Sequence, residues 1–215
     1  VPSTSTLIRK FFPEFDAVGA ARKLRPSNPL YGRSVDDIVA KWDDKGKEAA
    51  DKGTILHEQI ENYYLGNEYN RTGEFWLFES FATAHSFLEP YRCEWRIYDE
   101  EFGIAGTVDF VAYNKGELET YDWKRSKKVV DPASGKPIDT DKWGKCGIGK
   151  LANIDDTSYN HYCLQQSLYR FILEKNYGLK ISKTFLVVIH PEFHRFYKVE
   201  VPYLKNYVLY ILNTL

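Results

Sequence analysis

The sequence predicts an α/β fold, a mixed central β-sheet flanked by helices with a helical N-terminal segment, and three observations carry that expectation. Helical periodicity marks both ends of the chain, five strand-like runs lie between, and a strongly amphipathic stretch near 158–177 interrupts the strands. With 215 residues, 43% hydrophobic and 16% aromatic, the chain has ample material for a core, so disorder is not expected. One domain over 1–215 is expected, mainly helical at 1–90, with the sheet and its flanking helix at 91–201 and a closing helix at 202–215.

Taken in order, residues 4–23 read as helix, with Leu7, Phe11 and Phe12 as its apolar stripe and Pro13 as a break. Ser34 can cap a helix starting at Val35; a second helix spans 46–65 and stops at Gly66, and a third spans 74–89 and stops at Pro90. Strands are expected at 92–98, 104–113 and 117–124. Residues 125–157 are polar and rich in Gly, Pro and Asp, which suits a functional loop or flap. The helix at 158–177 closes on Gly178, and strands at 183–190 and 195–201 precede a last helix at 203–214.

Composition narrows the function classes. A formal net charge of −1 means that any nucleic-acid surface must be a local patch. No apolar run approaches the roughly 18 residues of a membrane span, and no signal-peptide pattern opens the chain. Cys93, Cys146 and Cys163 are odd in number and widely spaced, which argues against a disulfide framework and against a zinc or iron–sulfur quartet. They suit a reducing, intracellular compartment: the cytoplasm of a bacterium or phage-infected cell, or an organelle matrix. The chain opens on Val1 and contains no Met, as a domain cut from a longer protein would.

The hairpin at 104–124 carries misplaced charges. A two-residue loop at Lys115-Gly116 would set Asn114 opposite Glu117 and Asp109 opposite Asp122, with Lys124 on the face of Asp122, whereas a three-residue loop with Gly116 left-handed would shift the pairing by one. Facing carboxylates repel unless something intervenes, and a hard divalent cation is the natural intervener. Taken alone, the hairpin fits a solvated edge with charges in water better. His57 and Glu61, one turn apart on a helix face, could add an imidazole that tilts preference from Mg²⁺ towards Mn²⁺. Gln165 and Tyr169 share a face of the later helix. Each of these pairs, by itself, also fits an ordinary helix surface.

Their order is more specific. His57 in the GxxxH stretch from Gly53, GTVD ending at Asp109, Asp122-Trp123-Lys124, and Gln165-Gln-Ser-Leu-Tyr169 together resemble the RecB-type branch of the PD-(D/E)XK nuclease superfamily. Bacterial helicase–nuclease domains, the mitochondrial genome maintenance exonuclease and phage exonucleases are its relatives. The resemblance runs from about residue 53 to 169, and the opening Pro2-Ser-Thr-Ser-Thr-Leu-Ile8 is similar to the Ser/Thr-rich start of many members. It implies a restriction-endonuclease-like core in which His57, Asp109, Asp122 and the backbone carbonyl of Trp123 bind metal. Lys124 is then the catalytic lysine, and Gln165 and Tyr169 contact nucleic acid. The chain departs from the family in lacking the four-cysteine cluster, so no iron–sulfur cluster is expected, and in its long segment between DWK and QxxxY.

The residue types suit phosphodiester hydrolysis. Mg²⁺ or Mn²⁺ on the carboxylates would supply a nucleophile at neutral pH and relieve phosphate charge. Lys124 would orient water and stabilise developing charge, a role favoured over general base. Glu94 and Glu61 are candidates for supporting contacts or a second metal, against a plainer reading as surface charge. Residues 124–150 hold eight basic side chains against three acidic ones, with Trp143 among them. That loop could follow a phosphate backbone and stack a base, or be a solvated flap; Arg125 and Ser126, which abut the DxK motif, are the better nucleic-acid contacts.

The expected function is a metal-dependent deoxyribonuclease, an exonuclease on single strands or DNA ends in repair, recombination or replication. The preference for DNA and for ends comes from the resemblance. An RNA endonuclease of the cap-snatching type, and a non-catalytic nucleic-acid-binding module in a helicase or recombination complex, are the alternatives. The expected partner is DNA, with a helicase or recombination protein beside it, and no membrane.

Overall fold

In the computed structural model, which describes residues 3–71 and 73–215, the sheet has five strands in the order β1-β2-β3-β4-β5. They are β1 (Glu89–Asp99), β2 (Ile104–Asn114), β3 (Glu117–Lys124), β4 (Ile181–Val188) and β5 (Tyr197–Glu200). The first three strands form an antiparallel meander, β3 and β4 run parallel, and β5 returns antiparallel to β4, so the sheet is mixed. The parallel step needs a crossover, and the helix Ser158–Asn176 supplies it. The α/β class, the mixed sheet and the helical N-terminal segment are as the sequence predicts.

The hairpin register is the expected one. Lys115 (φ 52°) and Gly116 (φ 83°) are both left-handed, as a two-residue primed turn requires, and Asn114 pairs with Glu117.

Six helices accompany the strands among the described residues: α1 (Thr4–Arg9), α2 (Ala17–Arg22), α3 (Val35–Leu65), α4 (Phe75–Ala84), α5 (Ser158–Asn176) and α6 (Lys205–Leu212). Where the sequence suggests one helix over 4–23, α1 and α2 are separate, divided around Pro13. Ser3 caps α1 through Thr6 N–H at 3.2 Å and forms a parallel bridge to Ala105 of β2; Pro2, the first residue of the Ser/Thr-rich start, lies outside the described residues.

The two expected helices from Val35 and over 46–65 are one. Gly46 and Gly53 cost helix stability, of order 1 kcal/mol each against Ala, without ending it. α4 stops at Ala84 instead of Pro90, because Pro90 belongs to the edge strand β1, where a missing N–H is tolerated.

The chain divides into two compact units, one of the residues up to Pro13 with Leu56–Leu215, the other Glu14–Ile55, where the sequence suggests one domain. In the smaller unit, Asp16 caps α2 by accepting from Gly19 N–H at 2.8 Å, and Ser34 caps α3 by accepting from Asp37 N–H at 3.1 Å.

In the larger unit the sheet is buried on two sides. One side is aromatic: Phe78 and Phe81 of α4 meet Trp123 edge-on at 5.4 and 5.3 Å between centroids, and Tyr64 stacks on Phe110 at 4.2 Å. The other side holds Leu7 and Ile8 of α1, Leu164, Leu168 and Ile172 of α5, and Val208 and Ile211 of α6. Segment 125–157 is largely irregular, yet Val129 and Val130 are buried in the aromatic core, so its first part is a packed strap. No helix among the described residues is long and apolar enough to cross a membrane.

Gly116→Ala is expected to destabilise the protein by about 1–2 kcal/mol, the cost of a left-handed non-glycine residue. Urea unfolding followed by circular dichroism would read this as a lower midpoint at unchanged slope; an unchanged midpoint would contradict the assigned turn.

Candidate metal centre

The site forms where the sheet forks. The β2–β3 ladder ends at Phe110↔Tyr121, one pair short of Asp109 and Asp122. β3 continues along β4 to Lys124, while β2 continues along β1. At the fork the Trp123 N–H donates to the Asp109 carboxylate at 2.8 Å, so a side chain satisfies a buried amide that the ladder no longer serves. The Trp123 carbonyl accepts from His57 Nε2–H at 2.9 Å.

His57 sits in the last turns of α3, and its Nδ1 faces two carboxylates, Glu94 at 3.2 Å and Asp109 at 3.6 Å. Glu94 reaches the site through an unusual backbone. It lies between the pairs Cys93↔Phe110 and Trp95↔Val108, opposite Asp109, with φ of +42° in mid-strand. A left-handed glutamate there is strained, and such strain is often found at functional sites. One ligand atom from each of His57, Glu94 and Asp109 can lie within 4.8 Å of the others, a spacing that a cation could bridge.

Asp122 occupies the other side of the fork. Lys124 Nζ lies 2.5 Å from its Oδ2, and Gln166 of α5 donates to its Oδ1 at 2.6 Å. Lys124 also lies over the Tyr162 ring, 4.4 Å from the centroid.

The electrostatics tie these groups together. Burial pushes the Asp122 carboxyl up to about 6, and the charge of Asp109 pushes the same way, against the pull of Lys124 and His57. Burial likewise raises Asp109, which His57 and Lys124 oppose. His57 is raised to about 9: burial works against its charge, but Asp109 and the hydrogen bond to Glu94 outweigh it. Lys124 is held above the usual lysine range because Asp122 and Asp109 outweigh its burial. Three carboxylates therefore share one imidazolium and one ammonium, which leaves one negative charge in excess.

The donor set fits a divalent metal. His57, Glu94 and Asp109, with the Trp123 carbonyl on His57 Nε2, form an oxygen-rich donor group with one nitrogen that a cation could bridge, while Asp122, an expected ligand, falls outside that group and pairs with Lys124 and Gln166.

Other expected residues lie elsewhere or do other things. Tyr169 is buried against Gly106, where a Cβ would come within 2.1 Å of its Cε1, so Gly106 makes room for the ring. Gln165 lines a pocket of about 180 Å³ with Ser5, Arg9, His161 and Tyr162, and its Oε1 is buried without a hydrogen-bond partner. Arg125 is paired with Glu74, both nearly buried, which ties the exit of β3 to the start of α4. Ser126 Oγ accepts from Lys128 N–H at 3.1 Å. Glu61 faces Cys93, whose thiol is pushed up to about 11 by burial, with Glu61 and Glu94 adding to it. Gln166, which orients Asp122, is absent from the sequence reading; only packing separates it from Gln165 beside it.

No protein-family model matches the chain, and no curated protein matches it. Among solved structures it is similar to the crystal structure of SSO0001, with a TM-score of 0.37 and 15% sequence identity, over 99% of this chain and 72% of that one.

A metal-linked pH dependence follows from the shifted groups. A folded state that holds protons more tightly than the unfolded one loses stability as pH rises: for Asp122 between its ordinary value and about 6, for His57 between about 6.5 and about 9. Without metal, Tm is expected to fall from pH 6 to pH 9. Millimolar Mn²⁺ should raise Tm more at pH 8.5 than at pH 6, because metal displaces protons. Thermal unfolding with and without Mn²⁺ checks this; a metal shift that is flat with pH would contradict it.

Proposed function

We propose that the chain is a divalent-metal-dependent deoxyribonuclease that hydrolyses phosphodiester bonds, acting as an exonuclease on single strands or DNA ends. The observation that carries this reading is the meeting of His57, Glu94, Asp109, Asp122, the Trp123 carbonyl and Lys124 at one fork in the sheet. Asp109 and Asp122 are buried near enough that the charge of Asp109 makes Asp122 harder to ionise, a perturbation that clusters at functional sites.

Asp109, Asp122, Glu94, the Trp123 carbonyl and His57 would hold the metal. Bound there, a divalent cation supplies Lewis-acid polarisation of the phosphate and a nucleophile at neutral pH. The remaining work belongs to the chain. Lys124, fixed between Asp122 and the Tyr162 ring, presents a permanent positive charge to the scissile phosphate. Its raised pKa favours charge stabilisation and orientation over proton abstraction. Gln166 holds the Asp122 carboxylate so that the other oxygen faces the fork. Glu94 accepts the Nδ1 proton of His57 and thereby fixes the ring, and a metal held by His57 would take the place of that proton with Glu94 beside it. The preference for DNA and for ends rests on the resemblance to RecB-type nucleases.

End-labelled linear and closed circular single-stranded DNA, each with Mn²⁺ or Mg²⁺, test the reading. Linear DNA should be degraded only with metal, and Lys124→Ala should slow cleavage roughly 10²–10³-fold, the usual range for losing a transition-state charge partner. Equal cleavage by the variant would overturn the site, and cutting of closed circles would overturn the exonuclease assignment. Gln166→Ala should lower kcat by roughly tenfold or more without unfolding the protein, because it releases Asp122 rather than contacting substrate. Wild-type kcat in Gln166→Ala would contradict that positioning.

A further inference from the structure

Trp143 is 81% exposed, far beyond the core aromatics, at the tip of the long loop between β3 and α5. Exposed aromatic rings on mobile loops are common, but this tip is built. The Asp141 carboxylate accepts from Trp143 N–H at 2.7 Å and from Lys145 N–H at 2.9 Å, and Gly144 takes a left-handed conformation between them. Asp141 N–H donates to Asp155 at 2.7 Å, and Asp156 N–H donates to the Lys145 carbonyl at 2.8 Å. Asn160, in the first turn of α5, clamps both strands of the loop by donating to the carbonyls of Asp139 at 2.8 Å and Asp155 at 2.9 Å.

Charge is sorted in the same place. Asp141 and Asp155 accept from backbone amides, and Asp156 pairs with His161 at 2.8 Å. The tip's carboxylates are thus engaged by backbone amides or His161, apart from the exposed Asp139, and the indole sits between Lys142 and Lys145 in the chain. Two residues beyond Asn160, the same helix presents Tyr162 beneath Lys124, so the loop is fastened to the helix end that borders the fork.

We propose that Trp143 is a base-stacking contact that holds a single strand of nucleic acid on this loop as it passes the fork; this rests on the nuclease reading above. A rigid aromatic face flanked by lysines recognises a nucleobase with its phosphates without reading sequence. Because the tip's backbone is already fixed by hydrogen bonds, little ordering entropy is lost on binding. The tie from Asn160 to the helix end that carries Tyr162 beneath Lys124 joins this tip to the border of the fork, which favours a strand over a protein partner.

The test uses the full chain with a fluorescently labelled single-stranded oligodeoxynucleotide of mixed sequence, in EDTA, with binding read by anisotropy. Trp143→Ala should weaken binding roughly 5- to 150-fold, the range that about 1–3 kcal/mol of base–aromatic stacking corresponds to. Trp143→Phe should recover most of the loss, and both variants should keep the wild-type Tm. Binding by Trp143→Ala equal to wild type would overturn the proposal and leave the tip for another partner. Hydrolysis of bis(4-nitrophenyl) phosphate by the unsubstituted protein with Mn²⁺ separates the two readings. No hydrolysis alongside Trp143-dependent binding would overturn the nuclease reading alone, and hydrolysis with Trp143-independent binding would overturn the stacking contact alone.

Discussion

Much of the site depends on one hydrogen bond, the Trp123 N–H to the Asp109 carboxylate. Antiparallel strands that stayed paired would set Asp109 and Asp122 face to face with no room between them. Ending the ladder at Phe110↔Tyr121 opens that room but strands the next amide in a buried position. Asp109 satisfies it at 2.8 Å, so one carboxylate both permits the fork and lines it. The Trp123 ring, locked among Phe78, Phe81 and Phe110, fixes the backbone whose carbonyl reaches His57. The aromatic core thus positions a polar site on the strand that passes through it.

Buried charge is balanced locally. Two buried aspartates and a partly buried glutamate meet one imidazolium and one ammonium, with His57 shared between Glu94 and Asp109, so the fork is balanced to within one negative charge. Such a balance is adjustable. A divalent cation can take over from the protons of His57, whereas Lys124 is anchored by Asp122 and the Tyr162 ring. The strained backbone of Glu94 belongs to the same arrangement, since in that conformation its carboxylate meets His57.

Much of this was legible in the sequence. The Lys115-Gly116 turn chemistry gives the hairpin register, and alternation then places Asp109, Asp122 and Lys124 at one end of the sheet. Helix continuity through Gly46 and Gly53 was not legible, because glycine weakens a helix without fixing its end. Gln166 was hidden by its neighbour: spacing pairs Gln165 with Tyr169, while packing of α5 turns Gln166 to Asp122. Glu94 reads as an ordinary strand glutamate until its positive φ is known. The internal pairing of Arg125 with Glu74 depends on a tertiary contact across fifty-one positions, which no local pattern reveals.

The central claim is that the fork is a metal centre. Anomalous scattering from crystals grown with Mn²⁺ tests it most directly. A manganese peak is expected within ligand distance of His57, Glu94 and Asp109, with the Trp123 carbonyl and Asp122 bordering it. A well-ordered fork with His57 still paired to Glu94 and Asp109, and manganese bound elsewhere or nowhere, would contradict it.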